Sequence, residues 1–235
     1  MNIEEYDRMF QHEEKYWWYI ARRALVSKLI KKFSKAKRIF DAGCGTGMNM
    51  IEFSKYGSIR GCDFSRRAIK FCKIRGIKTA FLADAAKVNM GKPDTILALD
   101  LIEHCEDDNK TIENFYKNLE NGGILIITTP AIKFMFGKHD TALKHFRRYT
   151  KKELELKLKK AGFKIEKITY WNFVAFFPGF IYGRLMKYSK SRSKSYTTPY
   201  FLNRYLLTLI KLENRIVENI GNPFMGLSLI CVARK

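Results

Sequence analysis

Ile39-Phe40-Asp41-Ala42-Gly43-Cys44-Gly45-Thr46-Gly47-Met48 is the stretch whose reading decides the fold. A short apolar run ends in Asp41, and three glycines follow at every second position. Behind them Met50, Ile51 and Phe53 begin a helical pattern. The order is strand, tight turn, helix start. The turn calls for glycine because its backbone takes positive φ and because a ligand must come close to bare peptide groups. The first turn of the helix then presents N–H groups with no partner inside the helix. Asp63 lies 20 residues beyond Gly43, at the end of a second apolar run, Ile59-Arg60-Gly61-Cys62-Asp63. An acid at that distance, on the tip of the second strand, is placed to take ribose hydroxyls.

Two cofactor classes suit such a unit, dinucleotides and S-adenosylmethionine. The dinucleotide pattern G-x-G-x-x-G needs glycine at position 48, which is Met, and the chain carries no second nucleotide-binding half. The spelling Asp41-Ala42-Gly43-Cys44-Gly45-Thr46-Gly47 closely resembles motif I of the class I S-adenosylmethionine-dependent methyltransferases. The resemblance runs by motif over about 16–162. It implies a Rossmann-like, doubly wound α/β sheet of seven strands, order 3-2-1-4-5-7-6, the last strand antiparallel. It implies S-adenosyl-L-methionine as cofactor and S-adenosyl-L-homocysteine as product.

Taken in order, 1–34 reads as a helical cap, with Tyr6, Met9, Phe10, Glu13, Tyr16, Trp17 and Ile20 at three- and four-residue spacing. By resemblance, Trp18 and Arg22 close over the methionine end of the cofactor, Arg22 pairing with its carboxylate; an aromatic stripe packed on the sheet reads equally well. The cofactor-binding core spans 35–170. Strands are expected at 37–42, 58–62, 77–82, 94–99, 124–129 and 163–170, and helices at 45–56, 65–75 and 108–120. Ser65 is placed to cap the second of these helices. Phe64 follows Asp63 toward the cofactor. Asp84 and Ala85, just past strand 3, stand where the family meets the adenine, although Asp84 also suits a turn. Leu99-Asp100-Leu101-Ile102-Glu103-His104 resembles the family's D-x-L-E-H segment, with Ile102 where Leu is usual. Leu99, Asp100 and Leu101 would flank the adenosine. His104 reads as a general base or as a structural histidine. The connections are short, so the strand ends that carry 43–47, Asp63, Asp84 and Asp100 share one edge of the sheet, where such folds bind ligands.

Beyond strand 5, His145-Phe146-Arg147-Arg148-Tyr149-Thr150-Lys151-Lys152-Glu153-Leu154 resembles the family's H-x-R-x-[FY]-[ST]-x-x-E-L stretch. Thr150 and Glu153 have capping-box spacing for a helix through 161. His139, Asp140, His145 and Tyr149 are the substrate-side candidates, and a histidine there can take a hydroxyl proton as methyl transfers. No metal cluster is expected, since His139 and Asp140 alone make no site.

A helical insert or lid is expected over 171–224, before a final strand at 225–235. The insert opens with an aromatic run, continues with a basic serine-rich run at 187–195, and ends in an amphipathic helix at 200–220. That helix is expected to set Leu202, Tyr205, Leu206, Leu209, Leu212 and Ile216 on one face. Aromatic residues beside cations fit peripheral contact with an anionic membrane through 171–196, a lid over an apolar substrate, or a dimer contact.

The 235 residues suffice for one α/β domain. Lys plus Arg number 44 against 23 Asp plus Glu, a net charge of +21. That excess attracts anionic partners or reflects a lysine-rich proteome. No apolar run reaches the length of a membrane span, and the five cysteines show no Cys-x-x-Cys spacing, which fits a cytoplasmic, reducing setting, with or without a peripheral membrane contact. Nucleic acid is the weaker partner, because aromatic and basic residues form successive blocks. The expected reaction is methyl transfer to a small or lipid-linked acceptor, at oxygen. RNA or protein methylation, and a non-catalytic cofactor-binding regulator, are the alternatives. The oligomeric state is open.

Overall fold

The computed structural model describes residues 3–176, 199–221 and 225–235. Seven strands form one sheet: β1 (Arg38–Ala42), β2 (Ser58–Asp63), β3 (Ala80–Leu82), β4 (Thr95–Leu99), β5 (Ile124–Pro130), β6 (Lys164–Trp171) and β7 (Ser228–Arg234). Their order is β3-β2-β1-β4-β5-β7-β6. The first five are parallel, and β7 runs antiparallel to both β5 and β6. The expected order and the antiparallel last strand are both present.

Alternate side chains of the central strands feed two cores, as a period of two requires. Ile39, Leu97, Leu99 and Ile126 face α2 (Trp17–Phe33), α3 (Met48–Phe53) and α8 (Tyr200–Asn219). Phe40, Ile96, Ala98, Leu125 and Ile127 face α5 (Asp108–Asn118) and α7 (Lys151–Lys160). Strands covered on both faces read as continuous apolar runs, and β4, Thr-Ile-Leu-Ala-Leu, is buried throughout. The helix α4 (Arg66–Ile74) is capped as expected: Ser65 accepts from the Ala68 amide. Thr150 and Glu153 close a capping box on α7.

Three expectations need correction. The helical stretch at 1–34 is two helices, α1 (Ile3–His12) and α2. Buried contacts made by Glu13 break it: its carbonyl accepts from Arg23 and its carboxylate pairs with Arg75. Asn203 of α8 then accepts from the Trp17 amide at 2.9 Å, a cap supplied from elsewhere in the chain. The third strand is short because Ile77 closes the end of α4, its amide bonding to Cys72, so pairing with β2 covers only Ala80–Leu82. Trp171 belongs to β6, paired with Ser228, and not to the insert.

The sequence left open which side of α8 is the inner one. Its buried residues are Ile210, Glu213, Asn214 and Val217, while Tyr205, Leu212 and Ile216 face outward. Apolar residues lie on both sides of this helix, so periodicity alone could not choose the inner one. Asn214 chooses it: its amide accepts from the Trp171 indole at 2.8 Å and donates to the Ala21 carbonyl at 2.9 Å. Most of the aromatic and basic runs expected to touch a membrane fall at 177–198, outside the described residues. No described helix is long and apolar enough to cross a membrane.

Candidate functional site

The strand ends meet at the junction of β1 with its neighbours β2 and β4. The Gly43 and Cys44 amides both donate to the Cys62 carbonyl, at 2.8 and 2.9 Å, which folds the loop back across β2. Gly47 sits at φ 90°, where an added Cβ would meet Ile77 at 2.4 Å, so this turn takes only glycine.

Asp63 is buried at the tip of β2. It accepts from the Gly45 amide at 3.0 Å, the Ser65 amide at 2.9 Å and the Tyr6 hydroxyl at 3.1 Å. Burial raises its carboxyl above the ordinary range, against the pull of these donors. Helix α1 thus lies on the glycine loop. Met9 comes within 3.1 Å of where a Gly45 side chain would begin, Thr46 donates to Glu13, and Phe10 stacks on Phe71 at 4.3 Å.

Asp41 has no exposed surface, and neither carboxylate oxygen has a hydrogen-bond partner. Burial pushes its carboxyl from 3.8 to about 7, with Arg22 opposing and Asp63 and Glu13 adding to the rise. A buried acid without a donor is costly and marks a place where a cationic or N–H-bearing group fits. Between pH 4 and 7 the folded chain therefore holds a proton that the unfolded chain releases, and stability falls as pH rises through that window. Relative to Asp41→Asn, the wild type should lose about 2–3 kcal/mol between pH 5 and 8. Urea midpoints of both proteins at the two pH values read this; parallel curves would show that Asp41 does not titrate there.

Arg22 pairs with Asp100 and lies over the Trp18 ring at 4.6 Å. Its Nε is buried without a partner. Asp100 itself holds a left-handed φ of 54° just past β4, a strained conformation of the kind that clusters at functional sites. Leu99 is buried, and Leu101 packs on Gly43. Ala85 is buried, its carbonyl receiving the Asn114 amide at 2.9 Å. Asp84 is exposed and closes an Asx turn on the Ala86 amide; Phe64 is exposed at the rim. The loop and strand-end candidates thus lie at the ends of β1, β2, β3 and β4, and Arg22 reaches Asp100 from α2.

On the substrate side the candidates separate. His145 donates or accepts through Nδ1 at 3.0 Å from the fully buried Asp140. Arg148 grips the same carboxylate with two nitrogens, at 2.8 and 3.0 Å. Burial alone would raise Asp140, but His145 and Arg148 hold it down at about 2. His104 lies edge-on to His145 at 4.6 Å, and burial with His145 alongside lowers its imidazole to about 3, so it stays neutral. His139 points to solvent on α6 (Lys138–Ala142). Tyr149 is buried, and its hydroxyl donates to Asp108 at 2.7 Å.

Sequence reasoning missed Tyr6, Glu13, Thr46 and Glu103. Glu103 is fully buried beside Thr129, and one of its oxygens has no partner. The ligand-type atoms of Glu103, His104 and His145 lie within 4.8 Å of one another, a grouping of the kind that can hold a divalent cation. Only Glu103 and His104 are neighbours in sequence, and His145 joins them through the fold.

The methyltransferase domain family profile matches residues 10–168, and the chain belongs to that family, the class I S-adenosylmethionine-dependent methyltransferases. A probable S-adenosylmethionine-dependent methyltransferase of Mycolicibacterium smegmatis is 26% identical over 162 residues, 66% of this chain and 62% of the relative. A ubiquinone biosynthesis O-methyltransferase of Chelativorans sp. is 29% identical over 100 residues, 39% of this chain and 40% of the relative. The chain thus spans less than two thirds of these curated relatives. A solved S-adenosylmethionine-dependent methyltransferase from Mesorhizobium loti shares the fold with a TM-score of 0.61 at 16% identity, covering 95% of this chain and all of that one.

Proposed function

We propose that this chain transfers the methyl group of S-adenosylmethionine to a hydroxyl of a small or lipid-linked acceptor. The observation that carries the cofactor reading is Asp41, a buried carboxylate with both oxygens free beside the glycine loop. The methionine ammonium suits it, Arg22 suits the carboxylate, and Asp63 suits the ribose hydroxyls. Leu99, Asp100, Leu101, Asp84, Ala85 and Phe64 form the edge along which the adenosine would lie. Bound there, the sulfonium supplies an activated methyl group. The chain aligns the acceptor, excludes water and takes the proton. With the cofactor bound, its methyl group would pass from sulfur to the acceptor oxygen, and Nε2 of His145 would take the hydroxyl proton. The O-methyltransferase name of the Chelativorans relative supports oxygen as the acceptor atom.

Calorimetric titration with S-adenosylmethionine tests the pocket. Asp63→Ala should weaken binding roughly ten- to a hundredfold, because a charge-assisted contact is lost and the amides of Gly45 and Ser65 lose their acceptor. Unchanged affinity in the variant would show that Asp63 takes no part. Binding without turnover on any prenylated phenol or lipid-linked sugar would favour a regulator over an enzyme.

A further inference from the structure

We infer that the outward face of α8 is a docking surface for an anionic lipid membrane. Opposite its buried face, α8 carries Phe201 (75% exposed), Tyr205 (61%), Leu212 (50%) and Ile216 (55%), and Ile220 at its end is 85% exposed. Spacings of four and seven keep 201, 205, 212 and 216 within one narrow arc of the helix. The result is an apolar stripe about 29 Å long, at a rise of 1.5 Å per residue, where a surface helix is ordinarily polar. Such a continuous patch marks a partner.

Charge says which partner. Arg204, Lys211 and Arg215 follow the same seven- and four-residue steps and form a row along one border of the stripe. None of the three is in an ion pair with a described residue. The two acids of α8 are withdrawn from this face: Glu213 is buried, accepting from the Phe173 and Val174 amides at 2.9 and 3.1 Å, and Glu218 pairs with Lys28. Among the described residues of α8 the exposed face is apolar with a cationic edge and no anion, on a chain of net charge +21. That is the pattern of a helix lying in a membrane interface, with its apolar side in the acyl region and its cations at acidic headgroups. A second copy packed antiparallel on this face would bring the like-charged rows together. Nucleic-acid bases would need stacking rings along the stripe, and Leu212, Ile216 and Ile220 offer none. The surface is made of residues outside the 171–196 segment considered from sequence and does not depend on the methyltransferase reading.

Co-sedimentation of the full chain with phosphatidylglycerol–phosphatidylcholine vesicles, and with phosphatidylcholine alone, tests this. Binding is expected to the anionic vesicles at low salt and to weaken at high salt. Leu212→Ser with Ile216→Ser should lower it about tenfold or more, and Lys211→Glu with Arg215→Glu should do likewise. These positions are exposed, so thermal midpoint and cofactor affinity should hold. Tyr205→Trp should show a blue-shifted emission on anionic vesicles only. Three results would overturn the proposal: no binding to anionic vesicles, binding that both double variants retain in full, or self-association of the free chain that Leu212→Ser with Ile216→Ser abolishes.

Discussion

His145→Ala is expected to lower turnover about 10²- to 10⁴-fold while leaving cofactor affinity nearly unchanged, the range for loss of a positioned general base. The expectation rests on how the imidazole is held. Asp140 is fully buried and stays ionised because His145 and Arg148 pull its carboxyl down to about 2. An ionised partner at Nδ1 fixes the proton there and leaves the lone pair on Nε2. The loop is fixed in turn: the Phe146 amide donates to the Glu103 carbonyl at 2.8 Å, and the Tyr149 amide to the Pro130 carbonyl at 3.0 Å. His139→Ala, on the exposed α6, should be nearly silent. Steady-state turnover on a hydroxyl acceptor, with parallel calorimetry, separates the outcomes. Retention of a third or more of the activity in His145→Ala would remove this histidine as the base.

Trp171→Ala should cost about 3–5 kcal/mol of stability, as truncation of a large buried aromatic does. For a chain of this size that lowers the midpoint by roughly 10 °C. Trp171 is among the largest fully buried side chains and ties three elements together. Its ring lies 6.2 Å from that of Trp18 on α2, and its indole N–H meets Asn214 on α8. Alanine would leave a cavity and an Asn214 oxygen without its donor. Trp171→Phe keeps most of the area and loses only the hydrogen bond, so it should fall between. Calorimetric unfolding of the three proteins decides, and a loss under 1 kcal/mol for Trp171→Ala would mean that the sheet and α8 do not share this core.

What the sequence disclosed was what is locally determined. The glycine turn needs positive φ at Gly43, Gly45 and Gly47, and these are the values found. Thr150 and Glu153 close a box within four residues. The strand order came from the resemblance to the methyltransferase family, and the short connections gave only a doubly wound sheet with right-handed crossovers. What stayed hidden depends on partners distant in sequence. Tyr6 meets Asp63 across 57 residues, and Glu13 meets Thr46 across 33. No spacing rule joins such pairs. The Tyr149 hydroxyl likewise meets Asp108, 41 residues earlier. The inner face of α8 was illegible because its two sides are apolar to similar degrees.

The Tyr6 hydroxyl on Asp63 ties the first helix to the carboxylate proposed for the ribose. On that proposal, helix and ligand would share one acceptor, so the position of α1 and the occupancy of the pocket would be read by the same side chain. A ligand that also satisfies Asp41 would add a contact that no described residue supplies.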